Sequence, residues 1–175
     1  MLILYPDIKS YATHRLKVDD IHELYIEECG EPDGIPVIYL HGGPGAGISP
    51  QNRCFFDPEI YRIILFDQRG AGVSTPHACI KNNTTQDLLE DIDKIRHFLG
   101  VERCILFGGA WGATLALLYA QANPANVIGM ILRGVCLWRE QDIDWFFRQG
   151  ANLIYPEYWE DFLSALPRAA RSEPI

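Results

Sequence analysis

The sequence lacks paired cysteines, a long hydrophobic run and an excess of positive charge. Its five cysteines are scattered and never form a C-x-x-C pair, so we expect reduced thiols rather than a disulfide framework or a metal site. No apolar run approaches the roughly 20 residues that a membrane-spanning helix needs. The net charge of −8 argues against binding to nucleic acid or to an anionic membrane. The N-terminus has no basic segment of the kind that opens a signal peptide, which predicts a cytoplasmic protein.

The pattern of apolar residues predicts an α/β fold. The chain has 175 residues, 48% of them hydrophobic, which is enough for one domain with a packed core. Residues 8–30 read as two edge strands, and a helix is predicted from an N-cap at Thr84 to Gly100. A second helix is predicted over 113–122. The antiparallel N-terminal strands precede a mostly parallel sheet. Strands of this sheet that are buried on both faces are predicted from four short apolar runs: 36–40, 61–66, 104–107 and 127–132.

The stretch from residue 104 to residue 122 has the pattern of a nucleophile elbow, in which a strand turns sharply into a helix. The elbow has the sequence G-x-S-x-G, and its glycines leave room beside the nucleophile. Gly108 and Gly112 occupy the two glycine positions, and Ala110 occupies the position of the nucleophile. Alanine has neither a hydroxyl nor a thiol. The sequence therefore predicts a hydrolase elbow without the atom that attacks the substrate.

A glycine loop follows an earlier buried strand and supplies a candidate oxyanion hole. In this type of fold, one donor is the backbone N–H after the nucleophile and the other comes from such a loop. Trp111 and Gly43 occupy these two positions. Taken alone, residues 41–45 could equally form a rigid turn at the end of the strand.

Three stretches resemble the sequence signatures of the prolyl iminopeptidase family of α/β-hydrolases. HGGPG at 41–45, DQRGAGVS at 67–74 and GGAWGATLAL at 108–117 are similar to the family patterns H-G-G-P-G, D-Q-R-G-x-G-x-S and G-G-S-W-G-S/A-T-L-A-L. Residues 142–151 are similar to the start of the family's cap. The resemblance implies a serine aminopeptidase that releases N-terminal proline from short peptides with no metal or other cofactor. It also places a group of residues in the loops around the site: His41, Gly42, Pro44, Gly45, Asp67, Gln68, Arg69, Gly70, Gly109 and Gly112.

Two departures from the family pattern predict that this chain is catalytically inactive. The family's serine falls on Ala110, and loss of such a serine lowers turnover by about 10⁶-fold. The triad of this fold runs in the order Ser, Asp, His, whereas all five histidines of this chain precede position 110. No buried strand is predicted after residue 132. We therefore expect the triad Asp and His, most of the acids that hold the substrate's amino group, and the C-terminal half of the fold to be missing.

Several side chains in these loops have more than one interpretation. His41 is expected to brace its loop rather than to act as a base. Asp67 and Arg69 could pair with each other, brace the loop or contact the substrate. Trp111 could line a proline pocket or pack in the core. Ser74 is expected to bond to local backbone.

The chain is predicted to have two parts. Residues 1–135 would form the N-terminal part of an α/β-hydrolase core, and 136–175 the start of a helical cap and a frayed C-terminus. A sheet that ends at 127–132 would expose an apolar edge, which indicates an oligomer or a complementing chain. Two functions remain as alternatives to the inactive peptidase core. One is a non-catalytic binding module that uses the retained oxyanion pocket, and the other is a hydrolase relic of different ester or amide specificity.

Overall fold

The computed structural model describes residues 4–171 of the chain. The chain divides after Val135 into two compact units. The first unit contains a sheet flanked by helices, and the second contains only helices and turns in its described residues. No helix within residues 4–171 is long and apolar enough to cross a membrane.

The sheet of the first unit is α/β in type and mostly parallel, as the sequence predicted. Its strand order is β1-β2-β4-β3-β5-β6, with antiparallel pairing of β1 with β2 and β2 with β4 and parallel pairing elsewhere. The expectation of two edge strands at the N-terminus is wrong for β2, because β2 is paired on both sides. The six strands are Ala12–Lys17 (β1), Glu23–Gly30 (β2), Ile35–Leu40 (β3), Tyr61–Phe66 (β4), Cys104–Gly109 (β5) and Val127–Arg133 (β6).

Two helices connect the parallel strands. The first, α1, spans Thr85–Phe98, and the second, α2, spans Trp111–Ala122. Thr84 caps α1 as predicted: its hydroxyl accepts from the Asp87 backbone N–H at 3.3 Å, and the Asp87 carboxylate accepts from the Thr84 N–H at 2.8 Å. This reciprocal pair satisfies two backbone donors that the helix itself leaves free.

The sheet has a buried apolar layer on each face. Both helices pack on one face, where Leu106 and Leu115 are fully buried. The opposite face carries an aromatic group in which the Phe107 ring centroid lies 5.7 Å from Tyr39 and 5.5 Å from Phe55. Phe55 belongs to a short 3-10 helix, Pro50–Phe55, so a segment outside the sheet covers this face.

The second unit is helical in its described residues. The described elements are α3 (Glu140–Asp144), a π-helical turn (Trp145–Gln149), α4 (Ala151–Ile154), α5 (Pro156–Ser164) and a 3-10 turn (Arg168–Ala170). The end of the predicted frayed segment, 172–175, lies outside the described residues. The assignment of this unit to a cap stays a prediction.

The backbone approaches closely to itself where β5 turns into α2. A Cβ atom on Gly112 would stand 2.0 Å from the Leu40 carbonyl oxygen at the end of β3. A Cβ atom on Gly108 would stand 2.2 Å from the Gly112 carbonyl oxygen. Any side chain at these two positions would therefore force α2 away from β3 and β5.

The substitution Gly112→Ala is expected to destabilise the protein by about 3 kcal/mol or more, because its methyl group meets backbone that has no free direction to move. The free energy of unfolding from urea titration measures this effect. Gly129→Ala in β6 is the matched control, since its Cβ would have no atom within 4 Å. Equal effects at the two positions would contradict the close-approach explanation.

Candidate functional site

Ala110 occupies the sharp turn between β5 and α2. Its backbone has φ 51° and ψ −116°, a conformation that residues with a side chain rarely adopt. Its N–H donates to the carbonyl oxygen of Arg133 at the end of β6, at 3.0 Å. The turn therefore has the strained geometry of a nucleophile elbow, and a methyl group stands where the reactive side chain would be.

The glycine loop after β3 lies beside this turn. A Cβ atom on Gly42 would stand 3.6 Å from the Ala110 Cβ and 3.2 Å from the Gly109 carbonyl oxygen. Gly43 has φ 121°, a value that favours glycine. The structure thus brings the glycine loop and Ala110 together, and the role of Gly43 and Trp111 as oxyanion donors stays a prediction.

His41 is buried and joins the glycine loop to the loop after β4. Its Nε2 accepts from the Gln68 backbone N–H at 3.0 Å. In the neutral ring the proton is then on Nδ1, which donates to the Gly42 carbonyl oxygen at 2.9 Å. Burial lowers the pKa of His41 below its ordinary value, although the Gly42 carbonyl and the charge of Asp67 oppose that effect. Because both ring nitrogens are engaged with backbone, His41 braces these loops and is not placed to act as a base.

The Gln68 side chain connects the same loops to the first residue of α2. Its Nε2 donates to the His41 carbonyl oxygen at 2.9 Å, and its Oε1 accepts from the Trp111 indole N–H at 3.2 Å. The Trp111 ring is partly buried and packs against the helix-side core. The Trp111 ring thus packs against the core and its indole N–H links α2 to the loop after β4, while the lining of a proline pocket by this ring stays a prediction.

Asp67 links two further segments to the end of β4 by hydrogen bonds. Its carboxylate accepts from the Ile48 N–H at 2.7 Å and from the Val73 N–H at 2.8 Å. Ser74 bonds to local backbone as expected, since its hydroxyl donates to the Asp67 carbonyl oxygen at 2.7 Å and accepts from the Tyr25 N–H at 2.9 Å. Asp67 is 2% exposed, so bracing accounts for both of its carboxylate oxygens.

Arg69 pairs with Asp91 on α1 and not with Asp67, so the suggested Asp67–Arg69 pair is wrong. Its guanidinium makes a bidentate contact to Asp91, with Nε–Oδ2 at 2.6 Å and Nη2–Oδ1 at 2.7 Å, and a further contact to Asp19 at 2.8 Å. Burial opposes the charge on Arg69, but these carboxylates and Asp87 raise its pKa. Arg69 therefore anchors the loop to α1.

Sequence reasoning missed Asp91 as a member of this network. A signal was present, because Asp91 lies among Leu88, Ile92 and Ile95 on the apolar face of α1 and is fully buried. An acid on the buried face of a helix requires a partner. The identity of that partner, 22 residues earlier in the chain, follows only from the fold.

The predicted loop residues not yet described lie around a neighbouring cavity of about 370 Å³. Its lining includes Pro44, Gly45 and Gly70 together with Gln68 and Arg69.

Three of the other histidines have partners of their own. His14 contacts a carboxylate on β2, His22 a backbone carbonyl in the loop before α1, and His97 a carboxylate one turn back in α1. Residues 4–171 hold no group of three or more His, Cys, Asp or Glu side chains placed to bind a metal ion.

A family model described as alpha/beta hydrolase fold matches residues 35–170, which is most of the chain. The chain belongs to the alpha/beta hydrolase fold family. The turn at Ala110 and the glycine loop beside it lie within the matched residues, and their roles in a hydrolase site stay predictions.

Within this family the chain is similar to curated proline iminopeptidases. It is 54% identical over 172 residues to the proline iminopeptidase of Arabidopsis thaliana, covering 98% of this chain and 45% of that protein. It is 48% identical over 175 residues to the one of Xylella fastidiosa (strain Temecula1 / ATCC 700964), covering 100% and 56%. The chain therefore spans about half the length of these relatives.

Solved structures agree with the fold. A proline iminopeptidase-related protein from Thermus thermophilus superimposes with a TM-score of 0.62 at 31% identity, covering 71% of this chain and 44% of that one. An epoxide hydrolase mutant from Vigna radiata superimposes with a TM-score of 0.65 at 23% identity, covering 86% and 47%, and shows the fold alone.

Replacing Ala110 by glycine is expected to stabilise the protein by about 1 kcal/mol. The substitution relieves about 1–3 kcal/mol of backbone strain. This gain exceeds the free-energy cost of the conformational entropy that glycine adds to the unfolded chain. Urea titration measures the change. The control is Ala122→Gly at the exposed end of α2, where a loss of up to about 1 kcal/mol is expected. A comparable loss at both positions would mean that the turn is not strained.

The stability of the protein is expected to fall as the pH drops below about 6.5, in part through His41. Because the folded-state pKa of His41 is lowered, the unfolded chain takes up its proton at the higher pH. Between the pKa of His41 in the folded state and its pKa in the unfolded state, the free energy of unfolding changes by up to about 1.4 kcal/mol per pH unit. Urea titrations at pH 7.5, 6.5 and 5.5 should show a shallower slope in His41→Gln. His77→Gln controls for loss of an exposed imidazole, and an unchanged slope in His41→Gln would contradict the assignment.

Proposed function

We propose that this chain is a proline-iminopeptidase-like hydrolase core, of the kind that releases N-terminal proline from short peptides, and that the chain itself is catalytically inactive. The observation that carries the proposal is Ala110, a methyl group at a strained elbow in a chain about half identical to proline iminopeptidases. The substrate class comes from the names of these relatives. A different ester or amide specificity is the alternative within the same reaction class, and a cytoplasmic location stays a prediction.

The chemistry of acyl transfer explains why the retained residues would not hydrolyse a peptide. Hydrolysis needs a nucleophile, a base, a group that orients the base, and donors for the oxyanion. Gly43 and Trp111 are the candidate donors, and they act through backbone N–H groups that no change at Ala110 removes. A carbonyl held there is polarised, but no side chain at position 110 can attack it.

The protein is expected to release no arylamine from a proline arylamide above the uncatalysed rate. Ala110→Ser alone is also expected to stay inactive, because His41 is engaged as a brace and no histidine follows position 110. Continuous detection of the released arylamine measures the turnover of the unaltered chain and of Ala110→Ser. The Xylella fastidiosa proline iminopeptidase serves as the positive control. Turnover by purified Ala110→Ser would show that a base is present, and turnover by the unaltered chain would overturn the proposal.

A non-catalytic binding module is the second candidate function. It is favoured by the glycine loop, because Gly42 lies directly beside the Ala110 methyl group although no nucleophile is there. A carboxylate of a small acid or peptide would then occupy the position of the oxyanion.

Thermal unfolding with millimolar proline tests this second function. A ligand at ten times its Kd stabilises the folded state by about 1.4 kcal/mol and raises the melting temperature. Proline and N-acetylproline are expected to raise it alike, whereas prolinamide, which lacks the carboxylate, should not. Absence of any shift with proline, or an equal shift with prolinamide, would contradict carboxylate binding.

A further inference from the structure

Gln68 is a buried residue whose side chain bonds to two other segments of the fold. It is 2% exposed, although glutamine side chains are mostly found at protein surfaces. Its Nε2 donates to the His41 carbonyl oxygen at 2.9 Å, and its Oε1 accepts from the Trp111 indole N–H at 3.2 Å. Its backbone N–H also donates to Nε2 of the His41 ring at 3.0 Å. A single residue after β4 therefore holds both the segment after β3 and the start of α2.

These two segments carry the candidate oxyanion donors. Gly43 follows His41 by two residues, and Trp111 is itself the first residue of α2. The His41 carbonyl oxygen also lies close to α2, because a Cβ atom on Gly112 would stand 3.1 Å from it. Gln68 therefore bonds to the segment of one candidate donor and to the side chain of the other.

The two partners require a group at position 68 that is both a donor and an acceptor. A carbonyl oxygen only accepts a hydrogen bond, and an indole N–H only donates one. The amide of glutamine donates at one end and accepts at the other, so the two partners also fix its orientation. A carboxylate has no donor for the His41 oxygen, and the thioether of methionine has no donor at all. A protonated carboxyl group has both a donor and an acceptor.

We propose that Gln68 is a positioning residue that sets the direction of the Gly43 and Trp111 backbone N–H bonds relative to each other. The donors of an oxyanion hole are effective when they are aimed at one point before the substrate arrives. The bonds of Gln68 to His41 and Trp111 fix the two segments against a common support. This role rests on the proposed function, because it takes Gly43 and Trp111 as the oxyanion donors.

Residual dipolar couplings measured by NMR test this role, because they report the directions of N–H bonds in the folded protein. Gln68→Met removes the donor to His41 and the amide acceptor for Trp111. The angle between the Gly43 and Trp111 N–H bonds is expected to change, and the Trp111 indole N–H is expected to exchange at least about 10-fold faster. A lower free energy of unfolding with unchanged couplings would mean that Gln68 only stabilises the fold, and would overturn the proposal.

Gln68→Glu is the conservative variant, and its effect is expected to depend on pH. As a carboxylate the introduced group faces the His41 carbonyl oxygen without a donor, so the couplings should change as in Gln68→Met. Once the carbon shift of the introduced carboxyl shows protonation, it can donate to His41 and accept from Trp111, and the couplings of the unaltered chain should return. The His41 ring is itself titratable, so each measurement is compared with the unaltered chain at the same pH.

The matched control is Gln121→Glu, the same substitution at an exposed position of α2. It is expected to leave the two N–H directions unchanged at every pH. Failure of protonated Gln68→Glu to recover the couplings would overturn the proposal. If one Gln68 variant does not fold, the other decides the question. In the unaltered chain, a Trp111 indole N–H that exchanges as fast as that of Trp145, which is 47% exposed, would also overturn it.

The couplings are measured without peptide, proline or proline arylamide. A negative result here therefore leaves the expected absence of turnover and the expected thermal shift with proline as they stand. Conversely, turnover by the unaltered chain would contradict the proposed function without changing the measured bond directions.

Discussion

The structure depends on one close approach between the end of β3 and the start of α2. The Leu40 carbonyl oxygen occupies the space that a side chain on Gly112 would need. This approach sets Ala110 against Gly42 and so defines the geometry of the candidate site. A packed interior cannot absorb even one extra methylene at such a point without movement of whole elements. The two glycines of the elbow are therefore a packing requirement first, and their relation to chemistry follows from it.

Around this contact, buried polar side chains replace the backbone hydrogen bonds that loops cannot make for themselves. Four of them, His41, Gln68, Asp67 and Arg69, join segments far apart in the chain, and their partners are backbone groups, carboxylates and, for Gln68, the Trp111 indole N–H. Leaving any one of them unpaired would cost about 1–3 kcal/mol, and more for the charged pair. The residues that a sequence motif associates with a site thus serve here to hold its loops. That role explains how the site geometry persists with alanine at the nucleophile position.

The sequence predicts those parts of the fold that local patterns encode. The apolar runs become β3, β4, β5 and β6, and the Thr84 cap starts α1, because apolar patterning and capping chemistry are visible within a few residues. The prediction that all four strands are buried on both faces is wrong for β6, where Ile128 and Ile131 are 48% and 47% exposed. The position of β2 between β1 and β4 is not visible in this way, since strand order depends on contacts between distant segments. The partner of Arg69 illustrates the same limit for the site. Asp67 is near in sequence, but the bidentate geometry is met by Asp91 on α1.

The candidate site residues lie close together along the fold. The elbow, the glycine loop and their braces all lie between β3 and the start of α2, within elements that pack on one another in this chain. Most of their contacts lie inside that region, but Arg69 also contacts Asp19, Ser74 accepts from the Tyr25 N–H, and Ala110 donates to the end of β6. A base in this fold comes after the nucleophile in chain order. β6 accepts the Ala110 hydrogen bond at its last residue and, within residues 4–171, pairs with β5 alone. The candidate oxyanion donors Gly43 and Trp111 lie on either side of the strained turn, in elements that this chain contains.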